Sequence, residues 1–472
     1  MTASPAAAPD RVRLTWVQPE DLIGHELRQA AEDGRDPGPA LRTWLAAGGR
    51  PAPARAGASA VPASPELRAL AGRLLDGLAA LPVPSAAAEP TAWPALRATW
   101  PASPPPPARA EAEPGLQRRL EAAWLGRAVG CVLGKPVEKL PLEGIRALAR
   151  AAGNWPLDDW FTARGVPADV LAAHPWNRRS APTSLAENID GAPEDDDLDH
   201  PLLGLLLLRR HGKGFTTADL GRLWLDELPA GRTFTAERVA YRNLLQGLEP
   251  PLTATRHNPF REWIGALIRA DVHGWTNPAD PAAAAEQAWR DATLTHTANG
   301  VYAALFIAAA TAQAAGGRAD VHGALRAGLG VVPPGSRLAE AVRFGIRAAR
   351  EESGPTRPEC GFERVVDRLH ARYGHYHWVH AVPNTALIAA ALTHADGDFT
   401  HSVCRAVSGG WDTDSNGATA GSIAGLLAGS PERIPERWTA PLGNRLATTV
   451  AGFDGVGFDT LAHLTAQEAT RS

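Results

Sequence analysis

From residue 115 onward, apolar positions recur at three- and four-residue spacing in long blocks, parted by short Gly, Pro and Asp breaks. That spacing places side chains on one face of a helix. It predicts helices over 116–133, 198–211, 217–225, 235–245, 282–315, 322–328, 338–352, 362–373, 384–394, 399–407, 415–428 and 435–450. No stretch sustains the period-two alternation of a half-buried strand, so the expected fold class is all-α. The blocks define a globular domain over 115–455, preceded by an appendage over 1–114 and followed by a tail over 456–472.

The appendage has a different texture. Residues 1–13 are expected to be disordered, and 14–44 carry apolar residues at mixed spacing, with Asp21 as the expected N-cap of a first helix. An Ala/Pro/Gly-rich linker follows over 48–64. Residues 65–81 form an amphipathic helix with Leu67, Leu70, Leu74 and Leu78 on one face. Residues 82–114 are dense in proline and predict a spacer or a strap over the surface.

Composition narrows the function classes. Of the 472 residues, 44% are apolar and 21% charged, enough to bury a large core. A net charge of -4 offers no positive field for nucleic acid or an anionic membrane. The longest aliphatic run, 202–208, is interrupted by Gly204 and falls far short of the roughly 20 residues of a membrane span. The opening MTASPAAAPDRVRL has no charged segment leading into an apolar one, so no signal peptide is expected. Cys131, Cys360 and Cys404 form no CxxC, which argues against a disulfide framework and for a reducing cytoplasm. Cys131, on a glycine-spaced helix, reads as a small apolar filler rather than a reactive thiol.

Two acidic clusters carry the candidate chemistry. Glu194-Asp195-Asp196-Asp197 precedes an apolar helix, where acidic residues ordinarily cap free N–H groups and complement the helix dipole. Gly409-Gly410-Trp411-Asp412-Thr413-Asp414-Ser415 also precedes a helix, and Asp412 or Asp414 could cap it. Two carboxylates at i and i+2 on a glycine-rich turn, with a hydroxyl next to them, can also converge on one hard divalent cation. Glycines at 417, 421, 425 and 429, and at 126, 130 and 134, form two four-residue stripes. Each costs about 1 kcal/mol in a helix interior relative to alanine. Close helix–helix contact is the expected compensation, and it would bring the two acidic clusters together. A membrane dimerisation stripe is the other reading, but both segments are too short and polar for it.

In chain order, these motifs resemble the ADP-ribosylglycohydrolase family, which includes dinitrogenase-reductase-activating glycohydrolases and ADP-ribosylarginine and ADP-ribosylserine hydrolases. The family's opening G-x-x-x-G-D-x-x-G-x-x-x-E is similar to Gly126, then Gly130-Cys131-Val132-Leu133-Gly134-Lys135-Pro136-Val137-Glu138. Its T-D-D-T resembles Glu194–Asp197, its substrate loop resembles Ile264–Gly274, and a T-H pair opening a helix resembles Thr295-His296. Its closing G-G-D-T-D-T resembles Gly409–Ser415.

The resemblance implies an orthogonal multi-helix bundle and a hydrolase cleaving the N-glycosidic bond of an ADP-ribosyl group. It implies two Mg²⁺ or Mn²⁺ ions held by Glu194, Asp195, Asp196, Asp412, Asp414 and Ser415. Asp195 or Asp196 would activate water, with Glu138 beside the cleft as a gate or an acid. Gly265, Arg269, Asp271, His296, Gly410 and Trp411 are the implied substrate contacts, with Arg269 on the pyrophosphate and Trp411 either stacking on substrate or covering its turn. The implied partner is an ADP-ribosylated protein or a ribosylated small metabolite, and a binding protein that has lost catalysis is the non-enzymatic alternative.

The sequence departs from the pattern at Cys131, where the family has aspartate, at Glu194 and Asp197, where it has threonine, and at Asp271 and Trp411. His375, His377 and His380 have zinc-like spacing, but no carboxylate or cysteine joins them locally. Asn384 is expected to cap the helix that follows.

Overall fold

The computed structural model describes residues 14–52, 57, 59, 62–101, 115–353 and 361–471. The expected disorder over 1–13, residues 102–114 of the proline-dense stretch, and Cys360 lie outside the described residues. Among those described, the helical blocks fold as helices and β-structure is limited to isolated bridges.

The centre is a crossing of two helices, Leu116–Gly134 and Thr413–Ala428. A Cβ on Gly126 would collide with the carbonyl of Gly421, one on Gly130 with that of Gly417, and one on Gly134 with that of Thr413. Gly425 lies equally close to the carbonyl of Ala122. The two stripes therefore face each other, and backbone meets backbone where side chains would ordinarily hold helices 8–10 Å apart. A third central helix, Ala298–Ala315, is apolar and long enough to cross a membrane, but it lies buried within the bundle.

Several sequence expectations need correction. The block over 282–315 is two helices, Pro281–Ala292 and Ala298–Ala315. Between them, Thr293 Oγ1 donates to the Trp289 carbonyl at 2.8 Å, and Thr297 is extended at the next N-cap. Threonines of this kind offer the backbone an alternative to continuing the helix. The block over 435–450 keeps only two short turns, Glu436–Thr439 and Ala440–Leu442, and the left-handed Gly443 and Asn444 end them. The stretch expected as a tail carries the helix Phe458–Thr470. Phe458, Leu461, Ala462 and Thr465 are its buried face, and Trp124 Nε1 donates to Thr465 Oγ1 at 3.1 Å. The first helix, Pro19–Glu32, starts from Gln18, and its proline lacks an N–H that the first turn would leave unbonded anyway. Asp21 instead accepts from the Ser59 N–H at 2.9 Å.

The appendage is docked on the bundle. Arg261 reaches Glu26 at 2.7 Å and Asp33 at 2.6 Å, and Gln29 donates to Glu262 at 3.1 Å. Residues 84–100 form a strap. Glu89 pairs with Arg337 at 2.7 Å, and Tyr302 donates to the Pro90 carbonyl at 2.7 Å.

Candidate active site

The acidic clusters meet because the helices that follow them are packed together. Asp195 is the N-cap of Asp196–His211, and its Oδ1 accepts from the Asp197 N–H at 3.0 Å. Asp412 occupies the N-cap position of Thr413–Ala428 but makes no side-chain cap bond. Capping accounts for Asp195, therefore, and leaves the Asp412 carboxylate free for other work. The turn before Asp412 is held from outside. Gly410 and Trp411 have φ of 78° and 57°, a left-handed pair that a bulky residue adopts only when its surroundings enforce it. Trp411 stacks on His370 with ring centroids 4.0 Å apart, and His370 Nε2 bonds the Gly409 carbonyl at 2.8 Å. Asn384 lies within Ala381–Ala395, where His380 is the cap. Its Oδ1 accepts from the Asp412 N–H at 3.1 Å and from Asn416 Nδ2 at 2.7 Å.

Above this floor lies a cleft of about 530 Å³. Glu138, Glu194, Asp195, Asp196, Asp412, Asp414, Ser415 and Gly265 line it. So do Lys135, Lys139, Asn177, Arg179 and Arg232, along with an aromatic wall of Trp16, Phe234, Trp263 and Trp378. Trp263 stacks on His377 at 4.1 Å. Trp16 comes from the appendage, which thus helps to form the cleft.

Five of the expected substrate contacts do not line the cleft. Arg269 is buried, bonds Asp291, and reaches Glu237 at 3.0 Å and Thr295 Oγ1 at 2.6 Å. Asp271 is buried against Arg127 at 2.6 Å, and the same guanidinium donates to the carbonyls of Asp197 (2.7 Å) and Ile268. His296 is buried, with Nδ1 2.5 Å from Thr295 Oγ1. Gly410 and Trp411 shape the acidic turn from behind. Buried polar groups need partners, and Arg269, one oxygen of Asp271 and Nδ1 of His296 have found theirs inside the protein. Gly265 is glycine for a related reason, since a Cβ there would strike the Glu237 carboxylate.

The floor is electrostatically unbalanced. Burial, then Asp195 and Asp197, push the Asp196 carboxyl well above the ordinary range. Burial, then Asp414 and Glu138, do the same to Asp412. Asp414 is pushed up to about 7 by burial, Glu138 and Asp195. Asp195 goes the other way: burial pushes it up, but the Lys135 ammonium, the Asp197 N–H and Asp196 together pull it below the ordinary range. Glu138 has ligand atoms within 4.8 Å of those of Asp412 and Asp414, a set suited to one hard cation. Neither Asp412 nor Asp414 has an ion-pair partner among the described residues. The residues present therefore fit a divalent metal, which would supply the positive charge they lack.

The sequence profile of the ADP-ribosylglycohydrolase family matches residues 112–469. The chain belongs to that family, a glycohydrolase family with an all-α fold. Among solved structures it is similar to an "ADP-ribosylglycohydrolase-related protein complex", at 21% identity and a TM-score of 0.46, over 75% of this chain and 99% of that one. No curated protein matches it.

Sequence reasoning passed over Lys135, Arg179, Arg232 and the aromatic wall. Lys135 stood inside a quoted motif, directly after the Gly134 that packs on Thr413. Its position was a signal that a charge would lie at the floor.

Proposed function

We propose that the protein is a metal-dependent N-glycosidase that releases ADP-ribose from a modified protein side chain. The reading is carried by one juxtaposition. Carboxylates from three distant segments, Glu138, Asp195–Asp196 and Asp412–Asp414, line the floor of a cleft large enough for a nucleotide sugar. ADP-ribose offers a ribose for that floor, a diphosphate for cations and a base for aromatic faces. With Arg269 engaged elsewhere and Lys135 held by Asp195, Arg179, Arg232 and Lys139 are the cleft cations offered to a diphosphate. Trp16, Phe234, Trp263 and Trp378 supply the faces.

A bound Mg²⁺ or Mn²⁺ would orient the ribose hydroxyls and acidify a water. Glu138, Asp412, Asp414 and Ser415 would hold it. As the bond between the side-chain nitrogen and C1″ of the distal ribose breaks, positive charge builds at C1″, and the surrounding carboxylates stabilise it. Water oxygen bonds C1″ while Asp196 takes a water proton, which then passes to the departing nitrogen. Asp196 is better placed for this than Asp195, whose oxygens are engaged by Lys135 and the Asp197 N–H.

The test is release of ADP-ribose from an ADP-ribosylarginine protein by the full chain with Mg²⁺ or Mn²⁺, beside Asp412→Ala. Wild-type release lost in the variant supports the reading. Equal turnover and equal metal content in both would remove it. Release from free N-ribosides alone would replace the protein substrate with a small metabolite.

A further inference from the structure

Two groups at the floor could each chelate a cation, and the chain treats them differently. The first is Cys131, Asp195 and Asp197; the second is Glu138, Asp412 and Asp414. In the first, both carboxylates already face a cation of the chain. The Lys135 ammonium pairs with Asp195 Oδ2 and lies 3.3 Å from the Glu194 carbonyl. Arg127 Nη2 lies 3.5 Å from Asp197 Oδ1. The third member is a buried thiol, a poor ligand for a hard ion. In the second group only Glu138 has a cation, Lys139, at the more exposed end.

Lys135 is part of the built floor. Its side chain is 9% exposed. Its backbone follows Gly134, which the Thr413 carbonyl pins from the other side, and Pro136 and Val137 continue the turn, both buried. A divalent ion bound by Asp195 would have to share that carboxylate with an ammonium already in contact, and like charges at that range repel strongly.

We propose that Lys135 Nζ takes the place of one metal ion, so that the centre holds a single divalent cation at Glu138, Asp412 and Asp414. The proposal rests on the metal-dependent reading above and replaces the two ions that family resemblance implies. Asp195 then serves as the anchor of the lysine and the cap of its helix, and Asp196 lines the same cleft outside the ion's ligand group.

Mn²⁺ titration of the metal-free full chain, followed by equilibrium dialysis and electron paramagnetic resonance, tests this without substrate. Wild type is expected to bind one Mn²⁺ per chain with an uncoupled six-line signal. Lys135→Ala is expected to bind two, with the broadened signal of a coupled pair, and Lys135→Arg one. Lys135→Met, which keeps the side-chain length without the charge, stands in if Lys135→Ala fails to fold. Two ions in wild type would overturn this proposal and leave the metal-dependent glycosidase intact. One ion in wild type and in a folded, uncharged variant would also overturn the role of Lys135. No Mn²⁺ in wild type would overturn both readings.

Discussion

The cleft floor and the cluster around Arg269 use the same residue types to opposite ends. Around Arg269, a buried guanidinium is matched by Asp291, Glu237 is pushed up by burial beside it, and the remaining hydrogens are taken by Thr295 and the Gly265 carbonyl at 2.7 Å. Asp291 also bonds His273 Nε2 at 3.1 Å, and its carboxyl is held down to about 2 despite burial. At the floor, buried carboxylates outnumber nearby cations, and Asp196 and Asp412 are pushed up. Matched buried charge completes a structure. Unmatched buried charge prepares a site for something that arrives later.

Removing charge should therefore act in opposite directions in the two places. Asp412→Asn and Asp414→Asn should lower turnover about a thousandfold or more, since they remove ligands of the ion that would orient the ribose and acidify the water, contributions that amount to several kcal/mol. In metal-free protein the same changes remove like-charge repulsion, and the thermal midpoint should hold or rise. A clear fall in the metal-free midpoint would erase the contrast. Arg269→Met strands Asp291 and Glu237, and should cost about 3–5 kcal/mol in denaturant unfolding. A loss below about 1 kcal/mol, with KM raised in the folded variant, would return Arg269 to substrate binding.

This contrast also explains what was legible in the sequence. The helices could be read because burial imposes a period. The glycine stripes could be read because each glycine is costly unless a backbone lies against it, as Gly417 lies against Gly130. The two aspartate clusters follow from those stripes. The sequence does not show which charges cancel. Arg269 and Asp291 are 22 positions apart, and Arg127 and Asp271 are 144 apart. Motif position alone places Arg269, Asp271 and His296 near substrate, whereas pairing in three dimensions turns them inward. Arg179 and Arg232 sit in connecting segments without periodicity and face the cleft only through the fold. The helix at Phe458–Thr470 is a different case, since the spacing of 458, 461, 462 and 465 was present and was read as a tail.

The stripe itself can be probed with one helical glycine that touches its partner and one that touches nothing. Gly130→Ala forces a methyl onto the Gly417 carbonyl and should cost about 1–3 kcal/mol, with weaker Mn²⁺ binding because the floor is displaced. Gly72→Ala, in the helix Pro65–Ala79 with nothing within 4 Å of the added carbon, should gain about 0.5–1 kcal/mol. If both changes gave the same sign, close packing would not be what sets the glycines at the crossing.

A smaller effect separates buried polarity from buried charge. His25 lies where the appendage meets the bundle, with Phe260 at 5.2 Å, Trp263 at 5.7 Å and His377 at 6.1 Å. Neither ring nitrogen has a hydrogen-bond partner. Burial, and then Arg28, lower its pKa to about 4, against the pull of Asp21. The folded protein thus binds fewer protons than the unfolded chain between about 4 and the ordinary 6.5. Its contribution is fully present above 6.5 and is lost as pH falls towards 4. Between pH 7.5 and 5.5 the loss should be about 1 kcal/mol, and His25→Phe should flatten that part of the stability curve. Unfolding followed by Trp fluorescence at the two pH values measures it. An unchanged slope in the variant would mean that the imidazole is protonated, and matched, in the docked state.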